Sequence, residues 1–142
     1  IQNNDKIGVI LFSDGIEKFI PPKKGRKHIL RIIRELIEFT PKSNMTNISE
    51  SLKYLTNAIK KRCTAFIISD FYDQDPETYR MNYEESLRIA NNKHDVIGLQ
   101  IYDKRETELP SVGLIKMRDA ETGEYVWVNS SSRKNIKAFH EW

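Results

Sequence analysis

The sequence has one cysteine, Cys63, so no internal disulfide and no cysteine-based zinc cluster can form. That cysteine opens an apolar run, where a free thiol behaves as a small hydrophobe, and a reducing, cytoplasmic location is the expectation. No apolar stretch approaches the ~18 residues of a membrane span, and "IQNNDK" lacks the basic and then apolar order of a signal peptide. We therefore expect no membrane contact by this chain. The formal net charge of +3 is too small to call for nucleic acid, whose dedicated binders carry a larger, clustered excess. His94-Asp95 has the spacing of a metal phosphohydrolase pair, but His28 and His140 are its only companions. The better reading of His94 is a helix end, where a cationic ring complements the dipole. The chain opens on Ile1 and not on Met, which points to a segment of a longer parent, and its 142 residues suit one domain, 1–142.

What is present is a succession of strands and helices. "KIGVILFSDG" carries Ile7, Val9, Ile10, Leu11 and Phe12 without alternation, as a strand covered on both faces does, and closes on the Asp14-Gly15 turn. "IEKFIPP" reads as a returning edge strand, because two prolines would damage a central one. Ile29, Ile33, Leu36 and Ile37 follow helical spacing between Gly25 and Phe39, with Leu30 and Ile32 widening the stripe. A second helix holds Ile48, Leu52, Leu55 and Ile59, with Asn47 and Glu50 at capping-box spacing. Then come a buried strand from Thr64 to Phe71, a helix with Tyr79, Tyr83, Leu87 and Ala90 on one face, and the strand "DVIGLQIYD". "GLIKMRD" and "EYVWVN" form two short strands around Thr122-Gly123, followed by a helix with Ser130 to Ser132 as candidate caps. This alternation predicts a βαβ architecture with a mainly parallel sheet.

Strands of such sheets end at the ligand edge, and the strand "CTAFIISDFYDQD" ends in Ser69, Asp70, Asp73 and Asp75. From spacing alone Thr46 is a helix cap and Asp70 a turn former. Asp70, Asp73 and Asp75 could alternatively hold a magnesium ion for phosphoryl transfer or hydrolysis. Against this, Asp73, Asp75 and Glu77 lack the glycine and terminal glutamate of a calcium loop, and Pro76-Glu77 suits the first turn of a helix. The run "KKGRKHILRIIR" places six Lys and Arg between Lys23 and Arg34 before any acid. It lacks the Gly-Lys-Ser/Thr ending of a phosphate-binding loop and reads as a solvated helix face.

The order "NNDKIGVILFSDGIEKFIPPKKGRKHIL", "NMTNISESLKYL", "AFIISDF", "HDVIGLQIYD" and "ELPSVGLIKMRDAETGEYVWVN" resembles the bacterial domain-of-unknown-function family 58, whose members resemble von Willebrand factor A domains. The resemblance implies a Rossmann-like, von Willebrand A-type three-layer α/β sandwich with a mainly parallel sheet, N-terminally truncated in this chain. In such domains magnesium is held by an Asp-x-Ser-x-Ser loop, a Thr and an Asp. Thr46 and Asp70 match the second and third, and no Asp-x-Ser-x-Ser occurs from Ile1 to Trp142. Magnesium is thus expected in a full-length parent and not tightly in this chain. Asn44-Met45 and Phe71 stand where glycine is common in the wider superfamily. The resemblance implies a non-catalytic protein-interaction module with Ser69, Phe71 and Asp73 as partner-binding residues, working with a MoxR-type AAA+ ATPase. It also implies a missing strand between Lys6–Phe12 and Thr64–Phe71, so these two are expected to pair directly or to self-associate through the exposed sheet.

Overall fold

The computed structural model describes residues 5–73, 81–103, 110–118 and 123–140 of the chain. Strands β1 (Ile7–Phe12) and β2 (Ile16–Lys23) form an antiparallel hairpin with Val9 opposite Ile20 and Ile10 opposite Phe19. The turn is the one expected: the Ser13 N–H donates to Gly15 O at 3.0 Å across Asp14. Helix α1 (Arg26–Glu38) follows Gly25, whose φ of 102° lies in the left-handed region that glycine enters without cost. The N–H groups of His28 and Ile29 then reach Gly25 O at 3.1 and 3.3 Å. Helix α2 (Ile48–Ala58), strand β3 (Thr64–Ser69), helix α3 (Glu84–Lys93) and strand β4 (Asp95–Gln100) complete the first half. Strands β5 (Leu114–Arg118) and β6 (Tyr125–Asn129) precede helix α4 (Arg133–His140).

The fold is mixed α/β with three small sheets among the described residues: β1 with β2, β3 with β4, and β5 with β6. The β3–β4 pair is parallel, since Asp95 N–H bonds to Cys63 O and Ile101 N–H to Ser69 O in step along both chains. The other two pairs are antiparallel. The expected mainly parallel sheet is therefore corrected to one parallel pair beside two hairpins. Direct pairing of Lys6–Phe12 with Thr64–Phe71 is likewise corrected, because β1 bonds to β2 and β3 to β4. A hairpin partner three residues away costs little loop-closure entropy, whereas β1 and β3 are separated by two helices. No helix among the described residues is long and apolar enough to cross a membrane.

Two units divide the chain, Ile1–Ile67 with Phe71–Gly98, and Ile68–Asp70 with Leu99–Trp142. The first has a core of Ile48, Leu52, Ile67, Tyr83 and Ala90, with Phe12, Phe71, Leu87 and Val96 packed against it. Helices α2 and α3 are joined over it by the Ser49 and Ser86 hydroxyls, 2.6 Å apart, and by Lys93 donating to Thr56 O. Strand β3 buries Ile67 and leaves Phe66 and Ile68 exposed, so it is covered on one face and not on both. Tyr83 and Ala90 are buried as expected, while Tyr79 lies outside the described residues. In the second unit Ser130 is fully buried and ties the hairpin base: its Oγ accepts from Val112 N–H at 3.1 Å and donates to Gly113 O at 2.8 Å. Ser131 Oγ accepts from Gly113 N–H at 3.0 Å. Of the three candidate caps, only Ser132 starts α4, its carbonyl accepting from Ile136 N–H at 2.9 Å.

Candidate functional site

The entry to α2 gathers segments that the sequence keeps far apart. Asn47 is the N-cap, its Oδ1 accepting from Glu50 N–H at 2.9 Å, the local half of the expected capping box. Its own N–H donates to Ser13 O at 2.7 Å, fixing the loop against the end of β1. Glu17 of β2 clamps the same loop from further back: its Oε1 accepts from Lys42 N–H and from Ser13 Oγ, both at 2.8 Å. The Lys42 amide first, and the Ser13 hydroxyl next, hold the Glu17 carboxyl below its ordinary value. Thr46 stands half-buried in this anchored loop, next to Met45, whose side chain is exposed.

Asp73 reaches the same helix start from the chain segment after β3. Its Oδ2 accepts from Ile48 N–H at 2.8 Å, and its Oδ1 from the Asn82 side-chain amide at 3.0 Å. Ile48 is the first residue of α2 and has no exposed surface, so the carboxylate satisfies a donor that water cannot reach. The Asp73 carbonyl also accepts from Asn82 N–H at 3.1 Å. Asp73 was expected among the partner-binding residues; its side chain is buried, and both oxygens hold the chain's own donors. Sequence reading missed this role, because the pair Asp73–Ile48 is 25 residues apart and carries no local signal.

Phe71 has a φ of 65°, a left-handed conformation that glycine favours. A non-glycine residue takes the left-handed conformation where the wider superfamily commonly has glycine, and packing holds it: the ring lies 6.1 Å from the Tyr83 ring and belongs to the shell around the core. Gly98 leaves room for it, since a Cβ there would stand 3.1 Å from Phe71 Cζ. Tyr72, between Phe71 and Asp73, is 60% exposed. The structure thus brings Thr46, Phe71 and Asp73 into the first unit, whereas Ser69 and Asp70 belong to the second. Ser69 Oγ donates to Asp70 Oδ1 at 3.3 Å, and Asp70 O accepts from the Gln100 amide at 3.3 Å. Asp75 lies outside the described residues.

The donors present do not by themselves make a magnesium site. Asp73 has both oxygens engaged, and no group of three or more His, Cys, Asp or Glu among the described residues could hold a metal ion. A different pairing appears at the start of β3. His94 closes α3 through its N–H to Ala90 O at 2.8 Å, as the helix-end reading required. Its ring is fully buried, however, with Nδ1 3.4 Å from Cys63 Sγ and Nε2 without a hydrogen-bond partner among the described residues. Burial, then the charges of Lys93 and Arg62, push its pKa down, which opposes the dipole-complementing cation that the helix-end reading expects. Burial likewise pushes the Cys63 thiol up.

The chain belongs to the family described as "Protein of unknown function DUF58", which matches residues 1–141. It is 26% identical over 121 residues to the "Uncharacterized protein Rv1480" of Mycobacterium tuberculosis strain H37Rv, an alignment covering 84% of this chain and 36% of that protein. To the "Uncharacterized protein MAV169" of Mycobacterium avium it is 28% identical over 107 residues, covering 73% of this chain and 59% of that protein. The chain therefore spans about a third of the first relative's length and under two thirds of the second's. No solved structure matches it.

Proposed function

We propose that this chain is a non-catalytic protein-interaction module of von Willebrand A type, working in the cytoplasm beside a MoxR-type AAA+ ATPase in complex assembly. The observation that carries the reading is where the carboxylates at the α2 entry go. Asp73 binds the backbone N–H of Ile48, and Glu17 binds the Lys42 N–H and the Ser13 hydroxyl, which sets the shape of the loop holding Thr46. Acid–base or nucleophilic chemistry needs a base within hydrogen-bond reach of the group it activates, and the buried Asp73 serves a helix instead. An anchored loop with exposed Met45 and Tyr72 side chains in the same unit suits recognition of a protein surface. In a longer parent that supplies an Asp-x-Ser-x-Ser loop, Thr46 and Asp70 would be the two donors this chain contributes to a magnesium ion.

The test is titration of the chain against a purified MoxR-type ATPase from the same organism, followed by calorimetry. The reading expects saturable binding, weakened about tenfold or more by Thr46→Ala or Tyr72→Ala with unchanged melting temperature. Absence of binding, together with hydrolysis of a phosphate ester that Asp70→Asn abolishes, would replace it with an enzymatic reading.

A further inference from the structure

The basic run from Lys23 to Arg34 was read from sequence as a solvated helix face, and the structure gives it a different setting. Helix α1 rests on the hairpin through Ile32, which is buried, and through His28 and Ile29, with the His28 ring 2.9 Å from Ile7 O. A second apolar stripe points the other way. Leu30 is 55% exposed, Ile33 46%, Leu36 50% and Ile37 79%. Leu30, Ile33 and Ile37 follow one another at helical spacing along a single row, and Arg26 begins that row one turn before Leu30. Lys27 and Arg34, two turns apart, run along the flank, and Lys23 and Lys24 lie just ahead of the helix. Of the acids of α1, Glu35 takes Lys18 and Arg31 on the inward side, and Glu38 ends the helix. Among the described residues, Lys23, Lys24, Arg26, Lys27 and Arg34 form no ion pair, which leaves an aliphatic row bordered by cations, with Glu38 the one exposed carboxylate at the end of the flanking row.

We infer that the outer face of α1 docks on an anionic lipid bilayer. A helix with aliphatic side chains on one face and Lys and Arg beside them lies in the membrane interface, its apolar row among the acyl chains and its cations at the headgroups. The long side chains of Arg26, Lys27 and Arg34 can lay their stems along the aliphatic row and keep their charges in the headgroup layer. Charge complementarity selects the surface, since the cations of the face outnumber its one exposed carboxylate, Glu38, and anionic headgroups are negative. This goes beyond the proposed function and does not depend on it. It also replaces the expectation of no membrane contact, which rested on the lack of a spanning helix and did not consider a helix lying in the interface.

The test uses the 142-residue chain and vesicle flotation. It should float with vesicles of phosphatidylcholine and phosphatidylserine in equal parts, stay behind with phosphatidylcholine alone, and release as salt is raised. Replacing Arg26, Lys27 and Arg34 together by Gln should lower partitioning roughly a hundredfold, about fivefold for each cation. Ile37→Asp, at the most exposed position, should abolish flotation while circular dichroism and melting temperature stay unchanged. Equal flotation with both vesicle types would overturn the inference. So would unchanged flotation of Ile37→Asp, or a dimer in sedimentation equilibrium that Ile37→Asp converts to a monomer, since the stripe would then face a second copy.

Discussion

Replacing Asp73 by Ala separates a structural carboxylate from a functional one. In the folded chain its Oδ2 is the acceptor for Ile48 N–H, a donor with no exposed surface at the first residue of α2. Removing the acceptor leaves that donor buried and unsatisfied, which costs about 1 to 3 kcal/mol. The negative charge beside a helix N-terminus contributes about 0.3 to 1 kcal/mol more. Asn82, the second partner, is exposed and regains water, so its loss adds little. The expected destabilisation is therefore about 1 to 4 kcal/mol. For a chain of this length that lowers the melting temperature by roughly 4 to 14 °C. Asp73→Asn keeps one acceptor oxygen but sets an NH₂ against one of the two donors, and should cost about half as much. Asn82→Ala should cost under about 1 kcal/mol. Urea midpoints at constant slope, read by circular dichroism, give all three values. If Asp73→Ala moved the melting temperature by less than roughly 2 °C yet removed partner binding or turnover, the assignment of this carboxylate to the α2 start would be wrong.

His94 gives a pH prediction whose sign follows from its lowered pKa. The unfolded chain takes up a proton near the ordinary histidine value of ~6.5, and the folded chain resists doing so. Stability should be full above that pH and fall as the pH drops below it, by up to ~1.4 kcal/mol per pH unit; urea midpoints should keep this slope when His28 and His140 are changed to Gln and lose it in His94→Asn. The half-buried Cys63 thiol, its pKa pushed up by desolvation, should react with an aromatic disulfide at least about tenfold more slowly in the folded chain than in urea. Equal rates would show that the Cys63–His94 pair is open to solvent. At Phe71, glycine should recover about 1 kcal/mol of left-handed backbone cost but lose about 3 kcal/mol or more of ring packing, a net loss. Gly98→Ala should destabilise the wild-type chain, because its Cβ would meet the Phe71 ring at 3.1 Å, and should cost nearly nothing on the Phe71→Gly background; additive effects in that double-mutant cycle would exclude the contact.

The elements themselves were legible because their signals are local. Short apolar runs, helical spacing, the Asp14-Gly15 turn and the Asn47 cap are all local signals, and the described strands and helices stand where they put them. Partnership was not legible. Apolar runs say that a strand is covered, but β1 and β3 carry the same kind of run, and only tertiary structure decides that one joins a hairpin and the other a parallel pair. Helix α1 shows the same ambiguity within one element. Its apolar residues are numerous enough to define two stripes, and spacing alone favoured Ile29, Ile33, Leu36 and Ile37 over the Ile32 face that the hairpin actually covers.

The site was harder to read because side-chain chemistry is ambiguous until its solvation is known. An aspartate after a strand looks the same in sequence whether it binds a cation, meets a partner or caps a helix. Asp73 does the last, through a bond across 25 residues. A histidine at a helix end looks cationic by local electrostatics. At His94 the fold adds the opposing effect: it buries the ring beside Cys63, 31 residues away, and sets Lys93 and Arg62 near it. Desolvation of a charged ring opposes the modest gain from a helix dipole, so the local rule gives the right position but leaves out the effect that lowers the ring's pKa. The same reasoning bears on Thr46. Its place at the entry to α2 was legible, but the residues that hold its loop come from two other parts of the chain, Ser13 and Glu17 from the β1–β2 hairpin and Asp73 from the segment after β3. Those long-range bonds shape the loop, which is why Asp73→Ala tests the fold and Thr46→Ala tests the proposed function.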